Sequence, residues 1–182
     1  NYMDEFIKME KSDPSNIIEI HNRPHYLKYL INEGVKSKLV LYFHNDPLTM
    51  TGSKNLSERK YLVDICEKIV FNSLWSKKRF LEKIPSGSVS SEKLIVIFQS
   101  ASKNKVNLRN KKKWITFVGK LNRSKGYDIF GAAVLKVLKK HNDWKAIVIG
   151  DEQRDKITFN HERLKNLGFL EHKKVINIFK KT

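Results

Sequence analysis

The chain has 182 residues, with 36 Lys and Arg against 19 Asp and Glu, a formal charge of +17. At roughly 150 residues per domain, this length allows one domain or two small ones, each able to bury a core. A composition of 40% hydrophobic and 10% aromatic residues excludes a disordered chain, and four Pro with eight Gly exclude a collagen-like or Pro-rich fibre.

No window holds 18 consecutive apolar residues, so no transmembrane helix is written here. Residues 1–10 carry Asp4 and Glu5 and no long apolar run, so they do not read as a secretory signal. Position 1 is Asn rather than Met, and the chain reads as a piece of something longer. Asn16–Ile20 (NIIEI) is predicted as a strand, and His25–Glu33 as a helix closed by Gly34. Lys38–Phe43 (KLVLYF) is a second strand, Asn55–Cys66 a helix, Lys68–Phe71 a third strand and Leu74–Ile84 a helix. Residues 85–91 (PSGSVSS) form a loop by composition, and Lys93–Phe98 (KLIVIF) is a fourth strand.

Gln99–Lys113 is polar, Asn/Lys-rich and aperiodic, which marks it as a linker; its Lys111-Lys112-Lys113 run reads as a solvated lead into a strand. Trp114–Val118 (WITFV) is that strand. Phe130, Ala133, Val134, Val137 and Leu138 then recur at helical spacing and place one apolar stripe on a helix. Trp144–Ile149 is a strand ending at Gly150, Leu164–Phe169 holds a short strand, and Glu171–Lys181 a last helix. Strands alternating with helices, and apolar on both faces, specify an α/β fold with parallel sheets. Two Rossmann-like parts are expected: 1–98, a linker at 99–113, and 114–182. The second has too few strands for a complete Rossmann-like half, so it is expected to be incomplete.

Ligands of open parallel sheets bind at the carboxyl ends of the strands. The residues there are His21 to His25, His44-Asn45-Asp46-Pro47, Gly119 to Gly126, and Gly150-Asp151-Glu152. Gly119 to Gly126 holds Lys120, Arg123 and Lys125 ahead of a helix, a setting suited to a diphosphate, although it matches neither the P-loop nor the dinucleotide glycine pattern. The alternative is an ordinary basic turn. His21 and His44 should lie on adjacent strands, poised for a substrate hydroxyl, with Asp46 as helper or as a turn residue before Pro47. No metal-ligand spacing links them. Cys66, the single cysteine, reads as a small buried hydrophobe rather than a nucleophile. Trp75 and Trp114 read as core.

Several segments resemble the retaining glycosyltransferases of family four, which have the GT-B fold. WITFVGKLNRSKGYDIF is similar to the start of their donor domain, WKAIVIGDEQRD to its next strand, and LKNLGFLEHKKVINIFKKT to the later L-G-F segment. IIEIHNRP, LVLYFHNDP and VFNSLWSKKRFL resemble the last part of the acceptor domain in bacterial members. The match runs from about Asn16 to Thr182. It implies two Rossmann-like domains with a cleft between them. It also implies transfer of a sugar from a nucleoside-diphosphate sugar to a glycan or lipid-linked acceptor in cell-surface polysaccharide synthesis, with retention and no metal. The nucleotide sugar is a co-substrate, and no cofactor is implied.

Carried over by motif, His44 stands near the transferred sugar, while Lys120 (where the family more often has Arg) and Lys125 meet the leaving diphosphate. The same matching lets Gly119 approach the diphosphate closely and sets the Leu167-Gly168-Phe169 backbone by the base; the strand-end reading adds His21, Asn45, Asp46, Arg123, Gly126, Gly150 and Asp151 as ligand contacts. The family's paired donor glutamates and the glycine-rich first acceptor turn are not in the sequence, so this chain alone is expected to be inactive. Two other readings compete. One is a basic module binding nucleic acid or an anionic membrane, although no nucleic-acid motif is present. The other is a different GT-B-like sugar-nucleotide enzyme, such as an epimerase or phosphorylase. The transferase reading places the chain in the cytoplasm, with peripheral contact at the inner membrane face and no specific nucleic acid partner.

Overall fold

The computed structural model describes residues 2–182. The chain divides into two compact units, Asn1–Ser102 and Lys103–Thr182. In unit 1 the elements are α1 (Tyr2–Ser12), β1 (Ile17–His21), α2 (Pro24–Asn32), β2 (Lys38–Phe43), α3 (Leu56–Ile65), β3 (Lys68–Phe71), α4 (Leu74–Phe80) and β4 (Leu94–Val96). The four strands pair in parallel, in chain order β1-β2-β3-β4. Unit 2 comprises β5 (Trp114–Val118), α5 (Tyr127–Lys140), β6 (Lys145–Ile149), β7 (Leu164–Asn166) and α6 (His172–Phe179). Its sheet is again parallel and in chain order, β5-β6-β7.

Side chains of a strand alternate between faces, and here the alternation assigns the core. Ile18, Leu39, Leu41, Phe43, Ile69, Phe71 and Leu94 share one face and pack with Leu27, Leu30, Leu62 and Phe80 of the helices in one buried cluster. The other face carries Glu19, His21, Val40, Tyr42, Val70 and Ile95 by the same alternation, with His21 in register with Tyr42, and Tyr42 with Val70. Ile95, 38% exposed, and Ile17, 54% exposed, leave that face partly open. Unit 2 is covered on both sides. Ala146 and Val148 pack toward α5, while Ile147 and Ile149 pack with Val175 and Ile178 of α6. This explains why WKAIVI reads as an unbroken apolar run.

Several ends are capped by identifiable groups. Asn55 and Glu58 make a reciprocal capping box on α3. Arg163 donates to Leu138 O at 2.5 Å and His141 O at 2.6 Å, satisfying carbonyls at the end of α5. Arg59 is buried at 3% exposure and donates to Lys54 O at 3.0 Å and Glu82 O at 2.6 Å, tying α3 to the segment after α4. Gly34 takes the left-handed turn (φ 77°) that ends α2.

Several sequence expectations are corrected. The predicted helix over 74–84 stops at Phe80, with Leu81 as its cap. The predicted strand over 93–98 shortens to Leu94–Val96. Trp75 is not core. It is 57% exposed, with the Arg79 guanidinium 5.8 Å from its ring centre, because it stands in the first turn of α4 away from buried Ser76 and Phe80. Trp114 is half-buried and packs with the α6 cluster. The two units meet at Ser102 and Lys103, inside the segment read as a linker. β1 is an edge strand and is not apolar on both faces. No helix was expected over residues 2–12, yet Met3, Ile7 and Glu10 are buried there at helical spacing. Cys66 caps α3 rather than lying within it, and burial pushes its thiol up to about 12, which leaves it inert.

Arg59→Met should destabilise unit 1 by about 2–4 kcal/mol, because the carbonyls of Lys54 and Glu82 lose their donor. Urea unfolding followed by circular dichroism measures this; a change under about 0.5 kcal/mol would show the tie to be dispensable. Glu10 accepts from the Ser37 hydroxyl and from both Ser15 groups, and the Ser37 bond leads in holding its carboxyl below the ordinary glutamate range despite its burial. Its contribution to stability is therefore complete above the unfolded value of about 4.3 and is lost as pH falls through the lower folded value. The stability gap between wild type and Glu10→Gln should close over that acid range in denaturation curves, and a pH-independent gap would contradict it.

Candidate functional site

Parallel pairing in chain order brings all strand ends of a unit to one edge, and each unit has its own edge. In unit 1, alternation continues past the strand ends. His44 follows Tyr42, Asn72 follows Val70, and Gln99 follows Ile95 and Ile97, all at two-residue steps. Pairing also persists: Asn22 N donates to Tyr42 O at 2.9 Å, Asn72 N to Phe43 O at 3.2 Å and Ile97 N to Phe71 O at 2.9 Å. The side chains then meet. His21 Nδ1 lies 2.8 Å from His44 Nε2, and Gln99 Nε2 lies 3.0 Å from His44 Nδ1. Asn72 Nδ2 donates to His44 O, and His44 N donates to Asn22 Oδ1, both at 2.8 Å. The His21 ring stacks on Tyr42 (centroids 4.6 Å apart) and lies edge to edge and nearly coplanar with His44 (centroids 5.1 Å apart, planes 8° apart). His21 Nε2 stands 3.7 Å from Glu19 Oε2. Burial, with Glu19 nearby, raises the Tyr42 hydroxyl above its ordinary value, so it stays protonated.

Asp46 belongs to a different arrangement. Its carboxylate accepts from Leu48 N at 3.0 Å, capping a 3-10 turn over Pro47–Thr49, and from Arg79 Nη2 at 3.1 Å. Burial pushes its carboxyl up, but the Arg79 guanidinium and the Leu48 amide outweigh this and hold it below the usual range. Asp46 is therefore turned to structure rather than to the histidines. Asn45 is exposed beside it.

The edge of unit 2 is built from glycines. Gly119 follows β5, Gly150 follows β6 and Gly168 follows β7, with φ of 155°, 135° and 66°. Gly119 N donates to Ile149 O at 3.0 Å and Gly150 N to Gly168 O at 2.8 Å, so pairing runs through this glycine row. A Cβ on Gly150 would lie 1.9 Å from Gly119 O, which only glycine allows. The space at Gly150 is taken by the Gly119 carbonyl and that at Gly119 borders the Phe117 ring, while Gly168 is open.

Cations surround the row. Lys120 reaches Glu152 Oε2 at 3.6 Å, and Lys156 reaches Asp151 Oδ1 at 2.7 Å. The Arg154 amide leads in holding the Glu152 carboxyl below its usual range, and Lys156 does the same for Asp151. Arg123 and Lys125 are exposed and carry no side-chain partner among the described residues. The helix behind the row departs from expectation. A 3-10 turn over Arg123–Lys125 precedes α5, and Lys125, Gly126 and Tyr127 spend their amides on Asn122 and Arg123 carbonyls. Phosphate affinity here would rest on the lysines and arginine more than on those amides. Gly126 caps α5 in the left-handed region (φ 69°). Leu167 packs against the α6 face, while Phe169 is 86% exposed beside Gly168.

Of the residues singled out from the sequence, the structure brings together His21 and His44 in unit 1. In unit 2 it gathers Gly119, Lys120, Arg123, Lys125, Gly126, Gly150, Asp151, Leu167, Gly168 and Phe169 along one edge. It sets Asp46 apart. Sequence reasoning missed Gln99, which lay in the predicted linker, as well as Glu19 and Asn72. The two-residue step from Ile95 through Ile97 was the available signal for Gln99. Among the described residues no cluster of His, Cys, Asp or Glu could hold a metal ion, and no helix is long and apolar enough to cross a membrane.

This architecture is shared with several solved structures. The chain is similar to HepE from Anabaena, solved with UDP-glucose (16% identity, 93% of this chain and 52% of that one, TM-score 0.63). It is similar to a mutant form of TarM from S. aureus, solved with fondaparinux, alpha-GlcNAc-glycerol and UDP (11% identity, 93% and 37%, TM-score 0.63). It also resembles S. aureus MnaA, solved with UDP (12% identity, 99% and 54%, TM-score 0.61). The chain spans about half the length, or less, of these structures. No family model matches the sequence, and no curated protein matches it. What the likeness defines is the class. The chain has a GT-B-like α/β fold, made of two parallel sheets flanked by helices.

Gly150→Ala should destabilise unit 2 by about 2 kcal/mol or more, since the new Cβ meets backbone and the backbone angle is strained. Thermal unfolding measures it, and an unchanged midpoint would show that the two strand ends can separate freely.

Proposed function

We propose that this chain is the central part of a bacterial glycosyltransferase related to family four. It moves a sugar from a nucleoside-diphosphate sugar to a glycan or lipid-linked acceptor, with retention, in cell-surface polysaccharide synthesis. The observation that carries this reading is the glycine row of unit 2 flanked by Lys120, Arg123 and Lys125. A bare, backbone-lined edge with flexible cations suits a diphosphate. The likeness to structures solved with UDP or UDP-glucose supports it.

In this reading Lys120 and Lys125 neutralise the diphosphate as it leaves. Charge then develops on the leaving oxygens, and a cation held there is worth at most about 10²–10³ in rate, the value of a fixed donor. Glu152, held against Lys120 and Asn122 in the structure, parks the lysine where the phosphate would meet it. Lys120 acts as a point charge, without the two-pronged grip of an arginine. The backbone of Leu167, Gly168 and Phe169 borders the base. In unit 1, His44 meets the sugar. Charge neutralisation by side chains leaves no step that calls for a metal. The +17 charge favours a cytoplasmic enzyme held peripherally at an anionic inner leaflet, where lipid-linked acceptors reside.

Calorimetric titration with UDP, GDP, ADP and a short DNA duplex tests this. One nucleotide diphosphate should bind saturably at moderate salt, and the Lys120→Ala/Lys125→Ala double variant should weaken it at least about tenfold. DNA binding that exceeds every nucleotide, falls steeply with salt and ignores the variant would replace this reading with a polyanion-binding module.

A further inference from the structure

The His21–His44 pair has a partner at each end, and the two partners demand the same proton arrangement. A Gln99 amide nitrogen faces His44 Nδ1, and an amide nitrogen only donates, so Nδ1 accepts. A neutral imidazole with an accepting Nδ1 carries its proton on Nε2. His44 Nε2 then donates to His21 Nδ1 across 2.8 Å. That leaves the His21 proton on Nε2, the atom that stands 3.7 Å from the Glu19 carboxylate. The opposite arrangement would aim a bare ring nitrogen at Glu19 and a ring N–H at the Gln99 amide hydrogens. The Glu19 end would be repulsive, and the Gln99 amide would have to turn its oxygen toward the ring. Stacking of His21 on Tyr42 holds its ring nearly coplanar with that of His44, edge to edge, as the bond between them requires.

We propose that Glu19, His21 and Gln99 are positioning residues that lock His44 in the Nε2–H form, so that its Nδ1 is a hydrogen-bond acceptor reserved for a ligand hydroxyl. Gln99 holds the place until the ligand arrives. It is exposed, and its N–H resembles a sugar O–H as a donor. A hydroxyl that displaces it gives His44 the same bond. A ligand group that can only accept, such as a phosphate oxygen, finds nothing to bind there. The edge of unit 1 therefore selects hydroxyls, and the cationic edge of unit 2 selects phosphate. This inference rests on the proposed sugar role of His44, which it makes specific.

Long-range proton–nitrogen NMR of the imidazoles in the intact chain, at a pH where both are neutral, reads the tautomers directly. Wild type should show Nε2–H for both His44 and His21. An Nδ1–H signal on His44 overturns the proposal. Gln99→Glu puts a carboxylate at each end, so His44 Nδ1 should become protonated. Gln99→Ala should leave the Nε2–H form in place, held by Glu19. Titration with glucose and with inorganic phosphate gives the second readout. Gln99→Glu should bind glucose about tenfold more weakly and Gln99→Ala at least as well as wild type, with phosphate affinity unchanged in both. If wild type shows the expected tautomers yet binds no glucose, the sugar role of His44 fails while the relay stands. If glucose binds and Gln99→Glu makes no difference, the role given to Nδ1 is wrong.

Discussion

Parallel pairing sets the terms for everything else in this molecule. Two parallel strands can be joined only by a chain that returns along the sheet before the next strand starts, so each strand ends at the same side. With β1 to β4 and β5 to β7 both in chain order, each unit gathers all its strand ends on one edge. The residues just after those ends are close in space although they are far apart along the chain. His21, His44, Asn72 and Gln99 meet for this reason, and so do Gly119, Gly150 and Gly168. No individual side chain has to recruit the others.

The two edges are built on opposite principles. Unit 1 crowds its edge with rings and amides whose hydrogen-bonding groups are committed to one another. Unit 2 strips its edge to backbone and surrounds it with flexible cations, two of them leaning on carboxylates. Committed neutral groups discriminate by hydrogen-bond direction, since a mismatched donor leaves a polar atom unpaired. Flexible cations attract any dense negative charge and discriminate little.

The strands were legible in the sequence because parallel strands covered on both faces are nearly continuous apolar runs: KLVLYF and KIVF match β2 and β3 residue for residue. The proximity of His21 and His44 was legible from the expected adjacency of their strands. Helix ends were less so, since α4 stops where its own cap and a turn compete, not where the apolar pattern stops. The helix over residues 2–12 went unread because its mean polarity hides three buried positions on one face. Of the two readings of Asp46, helper or turn residue before Pro47, the structure shows the turn, while the arginine 33 residues away that also holds it left no sign in the sequence. Gln99 was hidden by its polar surroundings, which look like linker.

The contact between Gly150 and Gly119 differs in kind from the side-chain packing around it. When two side chains collide, a second substitution can trim one of them, and the chain can drift through sequence space by paired changes. At Gly150 the obstacle is a carbonyl oxygen of the main chain, which every amino acid carries. No change at position 119 removes it. In any library built on this scaffold, position 150 is fixed by geometry alone, while the cations around it are free to vary with the ligand to be held.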